Sequence, residues 1–425
     1  MKNMCLKLEV IKINDICFGA TTNISNGVLT INKRELIEAV ADKDFSQIDV
    51  ELAKPGDSIR IVPVKDAIEP RIKCDTKDFF SGVLGGFTSC GEGRTKVLRG
   101  CEVITTGQIF GFQEGLIDMS GSGAEHSHYS KINNIVLVVE PIEGLRRVEH
   151  EKAVRIAGLR AAKYLAMVAL DVEADELEVY ELEPVPAEKK LPRIVYVHQM
   201  LSQGLLHDTY LYGLDAKQLH PMIIHPNEFM DGALVSGNCV AACDKNTTWD
   251  NVNNPVILEL YSRHGVDLDF AGVIATPVST ILKDKERCCM ATVSLARQLR
   301  ADAIIIGEEG GGNPEADLMM TCARAEKCGI KSVIMVHENA GDDGTSVGIT
   351  TSTPEADAVI SAGNNQEIIE LPKMEKTIGH LSALESLTGG WVGSVKEDGS
   401  IQVKLAVIMD SICNLGITKL SAKTY

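Results

Sequence analysis

The chain has 425 residues and a formal net charge of −17, with 44% hydrophobic and 24% charged residues. This length predicts two or three domains, and the composition is that of a folded protein rather than a disordered one. The negative charge argues against sequence-independent binding to nucleic acid and against docking on anionic membranes, because both need clustered Lys and Arg.

The N-terminal residues carry no apolar signal-peptide core, and the longest apolar runs have the length of strands, so we expect a cytoplasmic protein. Twelve cysteines lack a C-x-x-C pair and regular spacing, which indicates neither a disulfide framework nor a zinc site. Four of them fall on predicted helices and are interpreted as small buried apolar residues: Cys288, Cys289, Cys322 and Cys328.

Residues 5–145 are predicted to form mainly strands. The segment L-K-L-E-V-I-K-I alternates apolar and polar residues, and the pair N-G at 26–27 before V-L-T-I is a hairpin signal. The segments D-S-I-R-I-V-P-V and K-I-N-N-I-V-L-V-V predict further strands. Residues 81–124 are rich in Gly and Ser and predict long loops.

The clearest helix is predicted over residues 149–170, where apolar residues recur at three-and-four spacing. A charged, proline-containing connector at residues 181–193 is a candidate domain boundary. Beyond it, short apolar strands alternate with helices, which indicates a parallel sheet covered on both faces. The predicted fold is therefore α/β. A β-rich domain with one long helix, residues 1–188, precedes a Rossmann-like α/β domain with a mostly parallel sheet, residues 189–425.

The segment G-E-E-G-G-G-N-P-E-A-D, residues 307–317, lies between a predicted strand and a predicted helix, where ligands bind in open α/β sheets. Its spacing matches neither common nucleotide-binding glycine motif, and its two glutamates would repel a phosphate, so no nucleotide is predicted. Asn313 suits the N-cap of the helix. Either the segment is a flexible loop before a capped helix, or it forms part of a substrate site through Gly310, Gly311, Gly312 and Asn313.

Histidines supply further candidate groups. The run E-H-S-H at 125–128 is similar to a metal-binding cluster, but no second cluster supports it, and no metal is predicted. His207, followed by Asp208, and His225 lie nearer in sequence to a pair of cysteines in mid-chain. Each histidine is either a general base or an ordinary hydrogen-bonded side chain.

The stretch S-G-N-C-V-A-A-C-D, residues 236–244, holds those two cysteines. Cys239 and Cys243 can be a redox or metal pair, although these uses normally need C-x-x-C spacing or further ligands. Cys239 can instead be a nucleophile with a lowered pKa that works with a histidine from elsewhere. Both cysteines can also be purely structural.

Self-cleavage is a further possibility for the same stretch. The Cys239 thiol can attack the Asn238 carbonyl in a turn that Gly237 makes easy. Elimination from the thioester and hydrolysis then leave a pyruvoyl group, a carbonyl that accepts electrons as pyridoxal phosphate does. Cyclisation of Asn238 to a succinimide would also cut the chain but would leave an intact cysteine. The residues alone leave these alternatives open.

Seven segments, spread over nearly the full length, point to one family. They are I-R-I-V-P-V-K-D-A-I-E-P-R (59–71), F-Q-E-G-L-I-D-M-S-G (112–121), Q-G-L-L-H-D-T-Y (203–210), V-S-G-N-C-V-A-A-C-D-K-N-T-T (235–248), N-N-P-V-I (253–257), E-E-G-G-G-N-P-E-A-D-L (308–318) and T-I-G-H-L (377–381). Together they resemble the component B proprotein of the clostridial glycine, sarcosine and betaine reductases, and the fourth segment resembles its processing region.

The resemblance implies an oxidoreductase chain that is cut before a cysteine, with both pieces staying together and the cysteine becoming a pyruvoyl group. It implies three partners: a selenocysteine-containing component B subunit, the component A selenoprotein and component C. The pyruvoyl carbonyl would bind the amine of glycine or a related substrate as a Schiff base. The partner's selenolate would then expel the nitrogen, and acetyl phosphate would follow.

Cys239 is the expected precursor of the pyruvoyl group, because Gly and Asn before it are more turn-like than the two alanines before Cys243. The processed chains would be residues 1–238 and 239–425. Cys243 is the alternative precursor, and Ser236 a less suitable one.

His207 and Asp208 are the candidate bases for cleavage. The alternative function is a sarcosine- or betaine-reductase paralogue in which this chain is mainly a docking subunit. A quaternary amine such as betaine cannot form a Schiff base, so the carbonyl would have no evident role there. A hydrolase with a cysteine nucleophile is the third alternative.

Overall fold

The computed structural model describes residues 4–84, 86–87, 90–203, 206, 209–237, 240–418 and 420–423. Within these ranges the chain forms a mixed α/β structure of several sheets. No helix in the described residues is long and apolar enough to cross a membrane.

Thirteen strands precede residue 190 in the part of the chain that the structure describes. They are β1 (Cys5–Lys12), β2 (Asp15–Phe18), β3 (Asn23–Ser25), β4 (Val28–Ile31), β5 (Phe45–Ala53), β6 (Ile59–Val64), β7 (Asp66–Ile68), β8 (Arg71–Lys73), β9 (Gly93–Arg99), β10 (Cys101–Gly107), β11 (Gly115–Asp118), β12 (Asn133–Pro141) and β13 (Glu176–Glu181). Two helices accompany them, α1 (Lys33–Val40) and α2 (Arg147–Met167).

The strands after residue 190 are β14 (Arg193–Met200), β15 (Thr209–Leu211), β16 (Leu214–Asp215), β17 (Met222–Ile224), β18 (Leu234–Ser236), β19 (Asp269–Pro277), β20 (Ala303–Glu308), β21 (Lys331–Glu338), β22 (Val359–Asn364), β23 (Ile368–Leu371), β24 (Lys376–Gly379), β25 (Ile401–Lys404) and β26 (Ser421–Lys423). The helices of this part are α3 (Pro226–Met230), α4 (Thr248–Val252), α5 (Pro255–Arg263), α6 (Leu282–Gln298) and α7 (Pro314–Lys327).

The N-terminal strands form two four-stranded sheets and a three-stranded one, in the orders β13-β1-β9-β8, β5-β12-β10-β7 and β2-β4-β3. The predicted hairpin is confirmed, because β3 and β4 pair antiparallel across a turn in which Asn26 and Gly27 both have positive φ. The predicted long helix is α2, and its alanine-rich buried face packs into the same core as β10 and β12.

The prediction of long loops over residues 81–124 is wrong for much of the segment. It contains β9, β10 and β11, and β10 lies between β12 and β7. Glycines that suggested loops stand at strand ends and turns: Gly93 begins β9 and Gly100 separates β9 from β10, and φ is positive at both.

The largest sheet has seven strands in the order β17-β19-β14-β20-β21-β22-β26. Its five central strands are parallel, and β17 and β26 are antiparallel edges. The predicted α/β class with a mostly parallel sheet is confirmed. The parallel strands follow the order 2-1-3-4-5, as in doubly wound sheets of the flavodoxin type. In such sheets ligands bind at the carboxyl ends of the strands where the order reverses, which here is beside β14 and β20.

Residues from distant parts of the sequence meet in shared sheets. β24 pairs parallel with β6, and β14 lies between β19 and β20. The division into a domain of residues 1–188 and a domain of residues 189–425 stays a prediction.

Candidate active site

A cavity of about 440 Å³ lies at the carboxyl ends of the central parallel strands. Leu201 and Gln203 follow β14, and the glycine loop follows β20. His337 is the next-to-last residue of β21, Asn339 follows that strand, and Asn365 follows β22. Its full described lining is Gln113, Leu201, Gln203, Val240, Ala241, Asp244, Gly310, Gly311, Gly312, Asn313, Pro314, His337, Asn339, Thr350, Asn365, Gln366 and Thr388. The cavity therefore lies at the switch point where this sheet order favours a ligand.

The four residues of the predicted glycine site, Gly310 to Asn313, all belong to this lining. Gly310 and Gly312 have φ of +83° and +76°, values that favour glycine. Asn313 occupies the N-cap position of α7, but its side chain makes no cap bond. Its Oδ1 instead accepts a hydrogen bond from Lys285 Nζ at 2.7 Å, which holds the loop to α6. A substrate-binding role for these residues stays a prediction.

Two ionisable side chains, Asp244 and His337, are found among the described residues of the lining. Their Oδ2 and Nδ1 atoms are 3.5 Å apart, and each side chain is 2% exposed. Burial raises the pKa of Asp244, and the facing His337 opposes that rise. The pair gives the cavity one buried carboxylate and one imidazole in contact, a combination suited to proton transfer.

Carboxamides dominate the polar part of the lining. Their NH₂ groups donate and their oxygens accept hydrogen bonds, so they can bind the oxygens and the nitrogen of a small zwitterion. The six of them are Gln113, Gln203, Asn313, Asn339, Asn365 and Gln366.

The segment just before the expected cleavage site is anchored by a chain of hydrogen bonds. Ser236, the last residue of β18, pairs with Thr209 of β15. Its backbone N–H donates to Thr248 Oγ1 at 3.1 Å, and that hydroxyl donates to Asp66 Oδ2 at 2.7 Å. Ser236 is fully buried, so its hydroxyl has no access to solvent.

The segment just after the expected site is anchored as well. The carbonyl oxygens of Ala242 and Cys243 accept hydrogen bonds at 2.9 Å from the backbone N–H groups of Asp410 and Ile412. Cys243 is fully buried in a 3₁₀ turn, Ala242–Asp244. Burial, and then the neighbouring Asp244 charge, raise the pKa of the Cys243 thiol well above its usual range. The thiolate that a nucleophile needs is therefore scarce at this cysteine.

Buried ionisable groups lie behind the anchored segments. Burial raises the pKa of Asp66 to about 6, although the nearby Lys245 lowers it. Burial also raises the pKa values of Asp250 and Asp410; the Asp66 charge adds to the rise at Asp250, and the Asp250 charge adds to the rise at Asp410. The Lys245 ammonium is 1% exposed and has no hydrogen-bond partner among the described residues.

Other predicted residues fall elsewhere. Asn238, Cys239, His207 and Asp208 lie outside the described residues. His225 is the N-cap of α3, where its Nδ1 accepts a hydrogen bond from the Asn227 N–H, and it does not belong to the cavity lining.

Two minor sequence predictions can be compared with the structure. No group of metal-ligand side chains forms a metal site among the described residues, and His128 of the E-H-S-H run packs against Trp249. Cys288, Cys289 and Cys322 are buried as predicted. The prediction is wrong for Cys328, which is exposed because α7 ends one residue before it.

Sequence reasoning missed Asp244 and His337. His337 stands at the carboxyl end of the strand K-S-V-I-M-V-H-E, next in the sheet to the strand that carries the glycine loop. The rule that ligands bind at strand carboxyl ends could have pointed to His337. Asp244 gave no signal beyond its position directly after Cys243.

Known proteins similar to this chain cover its full length. A family model described as glycine/sarcosine/betaine reductase component B subunits matches residues 4–423. Glycine reductase complex component B subunits alpha and beta of Acetoanaerobium sticklandii are 47% identical over 430 residues, 99% of this chain and 100% of the relative. Sarcosine reductase complex component B subunit alpha of Peptoclostridium acidaminophilum is 47% identical over 428 residues, with the same coverage.

A betaine reductase relative from Peptoclostridium acidaminophilum, complex component B subunit alpha, is 41% identical over 418 residues, 94% of this chain and 95% of the relative. No solved structure was found to match the chain. The family match and the full-length identities agree. This chain therefore belongs to the family of glycine/sarcosine/betaine reductase component B subunits and is a subunit of an oxidoreductase.

Proposed function

We propose that this chain is the precursor of a pyruvoyl-bearing component B of a glycine-type reductase and is cut between Asn238 and Cys239. The observation that supports this most directly is the position of Val240 and Ala241. These first described residues after the bond line the cavity at the carboxyl ends of the parallel sheet. A group at the new N-terminus would thus begin a segment that borders the substrate cavity.

The names of the relatives add support. The Acetoanaerobium sticklandii relative is one chain named as two subunits, alpha and beta, and the present chain matches it from end to end. A single chain that yields two subunits is what cleavage near the middle would produce.

The pyruvoyl group would supply an electrophilic carbonyl for the nitrogen of an amine substrate. The residues at the cavity suit such a group. Carboxamides of Asn339, Asn365 and Gln366 can donate hydrogen bonds to its two adjacent oxygens. Gly311 and Gly312 let the loop backbone approach closely without a side chain in the way.

The chain is 47% identical both to a glycine reductase relative and to a sarcosine reductase relative. We propose a primary or secondary amino acid of this kind as substrate, since its nitrogen can attack a carbonyl. The proposed partners are a selenocysteine-containing component B subunit, the component A selenoprotein and component C, in the cytoplasm.

Cys239 is the proposed precursor rather than Cys243. Burial keeps the Cys243 thiol protonated, and the carbonyl oxygens of Ala242 and Cys243 are tied to the segment around Asp410 and Ile412. A buried, protonated thiol in a hydrogen-bonded turn is a poor nucleophile toward the preceding peptide bond.

The test is a denaturing intact-mass measurement on the protein purified from its native host. We expect two masses, with the downstream one starting at residue 239 and altered by the loss of the cysteine sulfur and nitrogen. Cys239→Ala should give one full-length mass, because no thiol remains to attack Asn238. The matched variant Cys243→Ala should still give two.

A single full-length mass for the unaltered chain would contradict the pyruvoyl proposal and leave the docking subunit as the better function. Processing that survives in Cys239→Ala and is lost in Cys243→Ala would instead assign the precursor role to Cys243. Two pieces with an unmodified cysteine would indicate the succinimide route.

A further inference from the structure

We propose that His337 accepts the proton of the substrate ammonium group in the cavity and that Asp244 positions His337 for this step. The inference rests on the proposed function, because it concerns an amine substrate and a carbonyl at the same cavity. His337 lies outside the seven segments that carried the family resemblance, whereas Asp244 lies within the segment 235–248.

The geometry places both residues at the cavity from different elements. His337 is the next-to-last residue of β21, and Asp244 ends the 3₁₀ turn five residues after Cys239 in sequence. Both side chains are 98% buried and both line the cavity. A buried imidazole with a carboxylate at one ring nitrogen and a cavity beside it is arranged as general bases are in enzymes.

The contacts of the two ring nitrogens favour one tautomer. Nδ1 lies 3.5 Å from Asp244 Oδ2, and Nε2 lies 3.5 Å from Asn339 Nδ2. An amide NH₂ can only donate, so Nε2 is the acceptor and Nδ1 carries the hydrogen, within ion-pair distance of the carboxylate but outside hydrogen-bond geometry with it. Asn339 is at the long end of the hydrogen-bond range, and a substrate ammonium can therefore replace it as the donor to Nε2.

The glycine loop holds the ring on its other side. A Cβ at residue 311 would lie 2.1 Å from His337 Cε1 and 2.5 Å from Nε2. Gly311 therefore allows the loop backbone to lie directly against the imidazole. The glycine motif acts here as a support for His337, a role that differs from phosphate binding.

The proton balance of the step is simple. An amino acid arrives with its nitrogen protonated and cannot attack a carbonyl in that form. His337 Nε2 would take one proton, and the freed lone pair would form the bond to carbon. The carbon–oxygen bond would then break, and the oxygen would leave as water with that proton and a second one from the substrate nitrogen, which keeps the third. Asp244 stabilises the transient imidazolium. Further charges act on Asp244, since Lys245 lowers its pKa and Glu308 is close enough to interact with it.

The experiment measures covalent capture of glycine by the cleaved protein, without turnover. Protein, glycine and sodium cyanoborohydride are incubated, and the mass of the downstream piece reports the coupled substrate. His337→Gln should be cleaved normally but capture glycine about 100-fold more slowly at neutral pH, the usual scale of a lost general base. The deficit should narrow as the pH rises toward the pKa of the glycine amine, because free amine then needs no base.

Asp244→Asn tests the positioning role. Asp244→Asn should slow glycine capture by a smaller factor than His337→Gln does. Its deficit should also narrow as the pH rises. The double variant should be no slower than His337→Gln alone, because Asp244 acts through His337. The exposed His220→Gln is the matched control and should capture glycine at the rate of the unaltered protein.

Each outcome has a definite meaning. Capture at the unaltered rate by His337→Gln at neutral pH overturns the inference. A full-length His337→Gln beside a cleaved unaltered protein also overturns it and assigns His337 to cleavage. If His337→Gln does not fold, glycine capture by Asp244→Asn at the rate of the unaltered protein overturns the inference that Asp244 and His337 act together. An uncleaved parent protein would count against the proposed function itself.

Discussion

At the scale of the residue, Gly311 offers a direct test of the contact between the loop and His337. Gly311→Ala should destabilise the fold by about 1–3 kcal/mol, since the added methyl group overlaps the buried His337 ring, and it should slow glycine capture by displacing the imidazole. Urea unfolding and the capture assay measure the two effects. Gly329→Ala is the control: φ is +79° and the space is open, so only backbone strain is added and capture should not change. Equal rates of glycine capture by Gly311→Ala and Gly329→Ala would contradict the inference that the loop at Gly311 supports the His337 ring.

Single residues show where sequence reasoning succeeds and where it cannot. The glycine loop was located from its place between a strand and a helix, and it lines the cavity. The side chain of Asn313 was expected to cap α7 but is bound by Lys285, which lies 28 residues earlier. The Asp244–His337 contact joins residues 93 positions apart, and the sequence around either residue does not predict that the other lies beside it.

At the scale of the elements, the sheet order predicts that cleavage will not separate the pieces. After the proposed cut, β14 would belong to the upstream piece, and it is hydrogen-bonded on both sides to β19 and β20, which would belong to the downstream piece. β24 of the downstream piece pairs with β6 of the upstream one. Separation would expose the apolar faces of these strands and break their ladders, so it should require unfolding.

Size-exclusion chromatography checks this prediction. The cleaved protein should elute at one volume under native conditions, with both pieces in the same fractions, and should separate in denaturant. Uncleaved Cys239→Ala is the matched control and should elute at the same native volume. Elution of two native species of different size would contradict the interleaved topology.

Elements with a strong period were predictable and their pairing was not. β1, β12, α2 and the strands from β19 to β21 follow patterns that are visible over six residues or more. β10 was missed because glycines at its ends obscured a seven-residue strand. The partners of β1 lie near residues 93 and 181, so its sheet order depends on contacts between distant segments and no local pattern encodes it.

At the scale of the whole molecule, the buried carboxyl groups couple stability to pH. Burial raises the pKa of Asp66 to about 6 in the fold, whereas an unfolded Asp has a pKa of about 3.9. The folded state therefore holds this proton more tightly, and its contribution to stability is fully present below about pH 4 and is lost as the pH rises through 6. Asp250, Asp410 and Glu102 act in the same direction, because burial raises their pKa values too.

The free energy of unfolding should therefore fall between about pH 4 and pH 7, with Asp66 alone contributing a loss of about 3 kcal/mol. Urea unfolding of the uncleaved Cys239→Ala chain at several pH values measures this slope without the complication of two pieces. Adding Asp66→Asn should reduce the slope of the unfolding free energy against pH by the contribution of about one proton, because an amide does not titrate. The Asn oxygen can still accept a hydrogen bond from the Thr248 N–H. The exposed Asp171→Asn should leave the slope unchanged. A slope that is the same with and without the Asp66 carboxyl would mean that Lys245 neutralises it in the fold, and the buried group would then be an ion pair rather than a protonated acid.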